Sequence, residues 1–291
     1  MIRLVIMGHG DPVKLIINSL DKNIFKVVNV QQDRIRAGKE QDTFCDFLNS
    51  QNILINKINL NKGDFDLILS VNYYKIIDIN QYLQHKLINL HIGLLPKYRG
   101  NNANAWAVIN GEKRVGYTLH EITNILDGGD IFYTFEYEIG NDVTYFNAKK
   151  AINHDISTNI SQIIHSIYNK QIAPKSQKGA GFTYCLKLKP SDGIISDWNI
   201  STDTLIKMYY VFGKPMGTGL DFKYKDSFYK IDKISLIEGY LPSVGKPGSI
   251  VYIFENCLWV KTMDTAVKIS GIRSNNILIN VNEIFKMGIR L

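Results

Sequence analysis

Cysteine is scarce in this 291-residue chain. The three that occur, Cys45, Cys185 and Cys257, lie far apart and form no CxxC pair. That argues against a disulfide framework and a thiolate metal site, and fits a reducing, cytoplasmic setting. Long hydrophobic runs are missing too: no segment approaches the roughly 18–20 apolar residues needed to span a bilayer. The opening Met1-Ile2-Arg3-Leu4-Val5-Ile6-Met7-Gly8 is too short an apolar run for a secretory leader and reads as a first buried strand. A soluble protein with no membrane partner and no bound metal is expected. The formal net charge is +7, yet no run of five or six lysines occurs; the nearest cluster is Lys170, Lys175, Lys178, Lys187 and Lys189. The excess charge therefore reads as solvated surface, and no nucleic-acid partner is expected. Internal repeats and low-complexity tracts are absent.

What is present is alternation. Strand-like runs at Leu4–Met7, Phe25–Val30, Ile53–Ile55, Leu67–Val71 and Leu87–Leu90 are separated by helical stretches near Pro12–Leu20, Gln41–Asn49 and Ile77–Leu83. Such alternation predicts βαβ units around a parallel sheet, a Rossmann-like α/β architecture. Met7-Gly8-His9-Gly10 lacks the GxGxxG fingerprint, which disfavours a nicotinamide or flavin cofactor. Further on, Asn102–Asn110 reads as a helix ended by Gly111, Val115–Ile122 and Ile131–Ile139 as strands, and Thr144–Tyr168 as a long helix. Between Gln171 and Trp198 the periodicity breaks at Pro174, Gly179, Gly181, Pro190 and Gly193, which marks a linker. Beyond it come a helix near Thr204–Phe212 and alternating strands at Leu220–Lys225, Phe228–Leu236, Ser249–Phe254, Cys257–Lys261 and Ala266–Ile272. These predict a small β-barrel or partly open sheet. Two domains are expected, residues 1–185 and 186–291.

The chemically informative stretch is Ile88-Asn89-Leu90-His91-Ile92-Gly93-Leu94-Leu95-Pro96-Lys97-Tyr98-Arg99-Gly100, followed by Leu126-Asp127-Gly128-Gly129-Asp130. An apolar run ending in Asn-x-His delivers an amide and an imidazole to the carboxyl end of a buried strand, where open α/β sheets bind ligands. Asp127 supplies a carboxylate for that imidazole, with Asp130 as its rival. Taken alone, Asn89 could equally satisfy a strand end, and Leu94-Leu95-Pro96 could be a packed turn.

Together these residues resemble the folate-dependent formyltransferases, which carry Asn-x-His, a Ser-Leu-Leu-Pro-Lys-Tyr-type loop and a Leu-Asp-Gly turn about 36 residues after the histidine. The likeness extends to Ser70-Val71-Asn72-Tyr73-Tyr74-Lys75, Trp106 to Gly111 and Gly116-Tyr117-Thr118-Leu119-His120. In the C-terminal region it covers Lys189-Pro190-Ser191-Asp192-Gly193, Asp197-Trp198, Gly213-Lys214-Pro215 and Lys246-Pro247-Gly248, similar to the family's OB-like domain. The resemblance implies that an amine attacks the formyl group of 10-formyltetrahydrofolate. Asn89 would donate to the developing oxyanion, His91 would carry the proton, and Asp127 would fix the imidazole tautomer and stabilise its charged form. It further places folate contacts at Tyr73, Tyr74, Lys75, Asn101 and the loop Thr123, Asn124, Ile125, Leu126. This chain departs from the family at Ile92-Gly93, where Pro or Gly then Ser is usual, and at Asn101, where relatives acting on amino sugars can carry Arg.

The acceptor implied is a nucleotide-linked amino-dideoxy sugar, with dTDP-4-amino-4,6-dideoxyglucose, an intermediate of surface polysaccharide (O-antigen) synthesis, ahead of its 3-amino isomer. UDP-4-amino-arabinose and methionyl-tRNA are the alternatives, as is a non-catalytic folate or nucleotide binder. Lys75, Lys97 and Arg99 could meet a diphosphate, His9 borders the same region, and Tyr73, Tyr74, Trp106, Trp198 and Tyr209 could stack on a base or line the sugar pocket. The oligomeric state is left open, a homodimer being the candidate.

Overall fold

The computed structural model describes residues 1–32, 39–56, 65–140, 145–213, 217, 219–239 and 245–291. Thr144 and the Lys214-Pro215 pair lie outside the described residues. Two compact units form: one from Met1–Asn104, Arg114–Glu138 and Ala148–Leu186, the other from Ala105–Lys113, Ile139–Asn147 and Lys187–Leu291.

As far as residue 185 the elements in chain order are β1 (Ile2–Gly8), α1 (Asp11–Ser19), β2 (Phe25–Gln31), α2 (Lys39–Ser50), β3 (Leu54–Ile55), β4 (Leu67–Val71), β5 (Lys86–His91), β6 (Arg99–Gly100), α3 (Ala103–Ile109), β7 (Arg114–Glu121), β8 (Ile131–Glu138), α4 (Tyr145–Tyr168) and β9 (Tyr184–Cys185). The main sheet runs β3-β2-β1-β4-β5-β7-β8. From β3 to β5 every pair is parallel. All five residues of β4 are buried, as a parallel strand covered on both faces requires. α1 carries Pro12 in its first turn and buries Val13, Ile16 and Ile17; α4 buries Ala148, Ile152, Ile156, Ile160, Ile163, Ile164 and Ile167, an apolar stripe at helical spacing.

The expected Rossmann-like sheet is parallel from β3 to β5 and continues through two antiparallel pairings, β7 with β5 and with β8. One expectation is corrected. The helix expected near Ile77–Leu83 is a single 3-10 turn, Ile79–Tyr82. There the Asp78 carboxylate accepts from the Asn80 N–H at 3.1 Å, and Leu83 is 78% exposed, so no continuous apolar face exists to bury. A short parallel pair, β6 with β9, was not anticipated from the sequence.

The strand order reverses beside β1: the chain steps outward through β2 and β3, then returns to β4 and β5 on the other side. A crevice opens at the carboxyl ends of strands at such a reversal. His9 follows β1, Asn72 to Lys75 follow β4, and β5 ends on His91, so the sheet gathers these residues along one edge.

Gly116 in β7 has no room for a side chain: a Cβ there would lie 1.8 Å from the Phe135 carbonyl oxygen and 2.8 Å from Leu94 Cδ2. Gly116→Ala is therefore expected to cost more than about 2 kcal/mol, because backbone of the paired strand must move. A lowered urea midpoint with an unchanged slope is the expected readout.

The second unit contains β10 (Ile194–Ile195), α5 (Thr202–Phe212), β11 (Leu220–Tyr224), β12 (Ser227–Ser235), β13 (Ile250–Phe254), β14 (Cys257–Lys261), β15 (Ala266–Ser274), β16 (Ile277–Leu278) and α6 (Val281–Ile284). Its sheet order is β10-β11-β12-β15-β14-β13, with β16 on β15, so the partly open form of the expected sheet is adopted. Alternate residues make the core, with Leu220, Phe222, Leu258, Val260, Val267, Ile269 and Ile272 fully buried. Ser201 caps α5, its hydroxyl accepting from the Thr204 N–H at 3.1 Å. Among the described residues no helix is long and apolar enough to cross a membrane.

Candidate active site

Asn89 and His91 are two apart on β5 and so project from the same face of the strand. Antiparallel pairing sets Asn89 opposite His120 and His91 opposite Thr118 on β7. Asp127 stands on the loop after β7 in a left-handed backbone conformation, φ 48°. From there its carboxylate reaches both strands. Asn89 Nδ2 is 3.2 Å from Asp127 Oδ1 and 3.0 Å from His120 Nε2. His91 Nδ1 lies 3.4 Å from Asp127 Oδ2, His120 Nε2 lies 3.3 Å from Oδ1, and the Gly100 N–H donates to Oδ2 at 2.8 Å. The three residues singled out from the sequence therefore meet, and His120 joins them. Its signal was the Gly-Tyr-Thr-Leu-His segment, but a strand histidine is identified as a partner only once the register of β5 against β7 is known.

The other edge of the His91 ring decides its tautomer. Nε2 is 2.9 Å from the Tyr98 carbonyl oxygen, a good hydrogen-bond distance, whereas Nδ1 is 3.4 Å from a carboxylate oxygen. A carbonyl can only accept, so the neutral ring carries its proton on Nε2, and Nδ1 is left basic. The tautomer-fixing role expected of Asp127 thus falls to the Tyr98 carbonyl. Burial pushes the His91 pKa below the usual histidine range, outweighing the opposing pull of the Asp127 carboxylate and the Tyr98 carbonyl; His120 adds to the lowering. Burial alone would raise Asp127, but the His120 hydrogen bond, the charges of His91 and His120 and the Gly100 N–H outweigh it and hold the carboxyl at about 2.

Sequence reasoning missed Gln177. Its Nε2 donates to the main-chain carbonyls of Asp127 at 3.0 Å and Gly129 at 2.6 Å, while its Oε1 accepts from Arg99 Nη2 at 2.8 Å. The guanidinium fixes which end of the amide faces the loop, and the amide ties down the strained turn that carries Asp127. Arg99, expected at a diphosphate, is instead buried, with its guanidinium 4.5 Å from the Phe182 ring and bonded to Gln177, so it supports the loop. Gln177→Leu leaves two carbonyls and a guanidinium hydrogen without partners, so a loss of about 1–3 kcal/mol is expected in denaturant unfolding.

The remaining candidates fall as follows. Asp130 contributes its main-chain carbonyl to the Glu121 N–H, which leaves Asp127 as the carboxylate facing His91. His9 stacks on Tyr74 at 5.6 Å, and Asn72 Nδ2 donates to the His9 carbonyl at 3.3 Å, so the ends of β1 and β4 are tied together. Tyr73 is half-buried, Lys75 exposed. Asn101 donates its N–H to the Cys185 carbonyl, and Thr123 closes its turn by accepting from the Ile125 N–H at 3.2 Å. Asn124 is exposed, as are Ile125 and Leu126 at 57% each and Ile92 at 39%, an uncommon display of apolar side chains flanking a polar centre. Trp198 is a core residue against Phe222, and the Tyr209 hydroxyl donates to the Asp232 carbonyl; both belong to the second unit's packing. Among the described residues no group of His, Cys, Asp and Glu could hold a metal ion.

The model of the family described as formyl transferase matches residues 49–163. The chain is 33% identical over 210 residues to the methionyl-tRNA formyltransferase of Alkaliphilus oremlandii, which is 72% of this chain and 66% of that protein. To the methionyl-tRNA formyltransferase of Thermodesulfovibrio yellowstonii it is 30% identical over 271 residues, 91% of this chain and 84% of the relative. In fold it is similar to an N-formyltransferase from Helicobacter canadensis crystallised with folinic acid and dTDP-3-aminofucose: TM-score 0.70, 17% identity, covering 94% of this chain and 100% of that one.

Proposed function

The chain belongs to the folate-dependent formyltransferases, and from that premise we propose that it moves a formyl group from 10-formyltetrahydrofolate to the amine of a nucleotide-linked amino-dideoxy sugar, with dTDP-4-amino-4,6-dideoxyglucose as the first candidate. The observation that carries the formyl-transfer reading is the meeting of Asn89, His91 and Asp127 at one carboxylate. The exposed Ile92, Ile125 and Leu126 are suited to the flat face of a pterin ring, whose polar edge would need hydrogen-bonding groups. When bound, 10-formyltetrahydrofolate supplies the formyl carbon, which leaves the folate nitrogen for the amine.

His91 Nδ1 accepts the proton that the amine loses as its nitrogen bonds to the formyl carbon, and returns it to the departing folate nitrogen, so atoms and charge balance without a covalent enzyme adduct. Asp127 stabilises the imidazolium between those two transfers. Asn89 needs a change of partner to act, because both Nδ2 hydrogens point at His120 and Asp127. His120 Nδ1 is 2.7 Å from the Glu121 carbonyl, so the neutral ring carries its proton there and Nε2 accepts from Asn89; we assign to the developing oxyanion the Asn89 hydrogen that leaves this nitrogen.

The sugar acceptor is supported by the full-length likeness in fold to the Helicobacter canadensis enzyme. The sequence relatives favour a second acceptor, methionyl-tRNA. Purified protein with 10-formyltetrahydrofolate would be offered dTDP-4-amino-4,6-dideoxyglucose, its 3-amino isomer, UDP-4-amino-arabinose and methionyl-tRNA. Formylated sugar is the expected product. Formylation of the tRNA ester alone would replace the sugar reading, and no product above a His91→Ala control would remove both.

A further inference from the structure

Gly93 is where the loop after β5 has no side chain, and a neighbour occupies the space. A Cβ built on it would come within 2.4 Å of Ala103 Cβ and 2.7 Å of His91 Nε2. The backbone walls of this space are pinned. The Gly93 carbonyl accepts from Thr118 Oγ1 at 2.7 Å, and the same hydroxyl accepts from the Leu95 N–H at 3.2 Å, so the loop is fastened to β7 on both sides of Leu94. Ala103 opens α3, whose first turn is tied to β7 by two bonds between Asn104 and the Gly116 backbone, at 2.7 and 3.1 Å. What can yield is the His91 ring, and the edge that fills the space is the Nε2 edge bonded to the Tyr98 carbonyl.

We propose that Gly93 is the positioning residue that selects the tautomer of His91. By leaving out a side chain it lets Nε2–H reach the Tyr98 carbonyl, which makes Nδ1, beside Asp127, the nitrogen that takes the amine proton. On this chain's backbone, a Cβ at position 93 would overlap the Nε2 edge and displace it from the carbonyl. The proton then moves to Nδ1, where it faces the carboxylate, and the basic lone pair turns to the wrong side of the ring. The titratable groups facing the ring are Asp127, on the loop after β7, and His120, on β7, with ring centroids of the two histidines 6.4 Å apart. The glycine that departs from the usual serine is, on this geometry, part of how this chain sets its base. The inference rests on the formyl-transfer reading for its catalytic consequence, but not for its structural one.

The test combines side-chain ¹⁵N NMR of histidine-labelled protein with steady-state kinetics on the parent, Gly93→Ala, Ala103→Gly and the double variant. The His91 signals are identified by their loss in His91→Ala. In the parent above the titration of His91, Nε2 is expected to carry the proton and Nδ1 to be bare. In Gly93→Ala the tautomer is expected to invert, with kcat down by about tenfold or more and KM for both substrates held within about threefold, as for a misplaced general base. The double variant removes the clash with the Ala103 Cβ and is expected to fold with the inverted tautomer, whereas Ala103→Gly alone keeps the parent spectrum and kcat. A parent protonated on Nδ1 overturns the proposal, whatever the variants do. So does a folded double variant with the parent tautomer. If the spectra behave as expected but no acceptor is formylated by the parent, the functional reading fails and the tautomer assignment stands.

Discussion

Asp127→Asn is expected to lower kcat by about 10²–10³-fold in a protein that still folds, the scale of removing one preorganised partner of a charge that develops during the reaction. The Gly100 N–H at 2.8 Å and Asn89 Nδ2 at 3.2 Å donate to that carboxylate, and the two imidazole nitrogens at 3.3 and 3.4 Å offer it a hydrogen and a positive charge once their rings are protonated. An amide turns one acceptor oxygen into a donor. Whichever way it rotates, two donors face each other, and the imidazolium that forms on His91 loses its counter-charge. A loss below about tenfold in single-turnover formylation would take Asp127 out of the chemistry.

The same substitution carries a pH signature. The Asp127 carboxyl is held at about 2 in the folded protein, against about 4 in an unfolded chain. A depressed carboxylate pKa gives stability that is complete above the unfolded value and is lost as pH falls through the folded one, here between about 4 and 2, and amounts to about 2 kcal/mol. The unfolding free energy of the parent should fall more steeply across that window than that of Asp127→Asn.

His91→Ala is expected to lower kcat by about 10²–10⁴-fold, the contribution of a positioned general base. Its effect on the pH profile is the sharper discriminator. Nδ1 must be bare to accept the amine proton, and burial lowers the His91 pKa, so the parent should stay active below the ordinary histidine range and decline on further acidification. In His91→Ala that acid limb should vanish while the residual rate persists. If the limb survives, another group carries it; His120, whose Nε2 shares the Asp127 carboxylate, is the next to replace.

Much of this site was legible because its chemistry is written locally. Asn89 and His91 declare themselves as polar residues ending an apolar strand, and strand periodicity puts them on one face. Asp127 was found by its spacing in a familiar pattern, and the alternation of runs before it was sufficient to place β1, β2, β4 and β5. Gln177, the Tyr98 carbonyl and the space beside Gly93 were not legible. A main-chain carbonyl has no sequence signature, and Gln177 sits 50 residues from the carbonyl it holds. The Ile77–Leu83 stretch failed for the converse reason: its apolar spacing was helical, but Asp78 caps a shorter turn and Leu83 finds nothing to pack on.

By itself, then, the sequence determined the α/β alternation, the β-rich second half and the identity of the amide, imidazole and carboxylate, because periodicity and side-chain chemistry are properties of neighbouring residues. Which nitrogen of His91 is basic, which side chains hold Asp127 in a left-handed turn, and why Arg99 lies under the loop were decided only by the tertiary structure. Those outcomes depend on the register of β5 against β7 and on contacts between segments far apart in the chain, and hydrogen bonds of that kind are chosen by distance and by what else each group can reach.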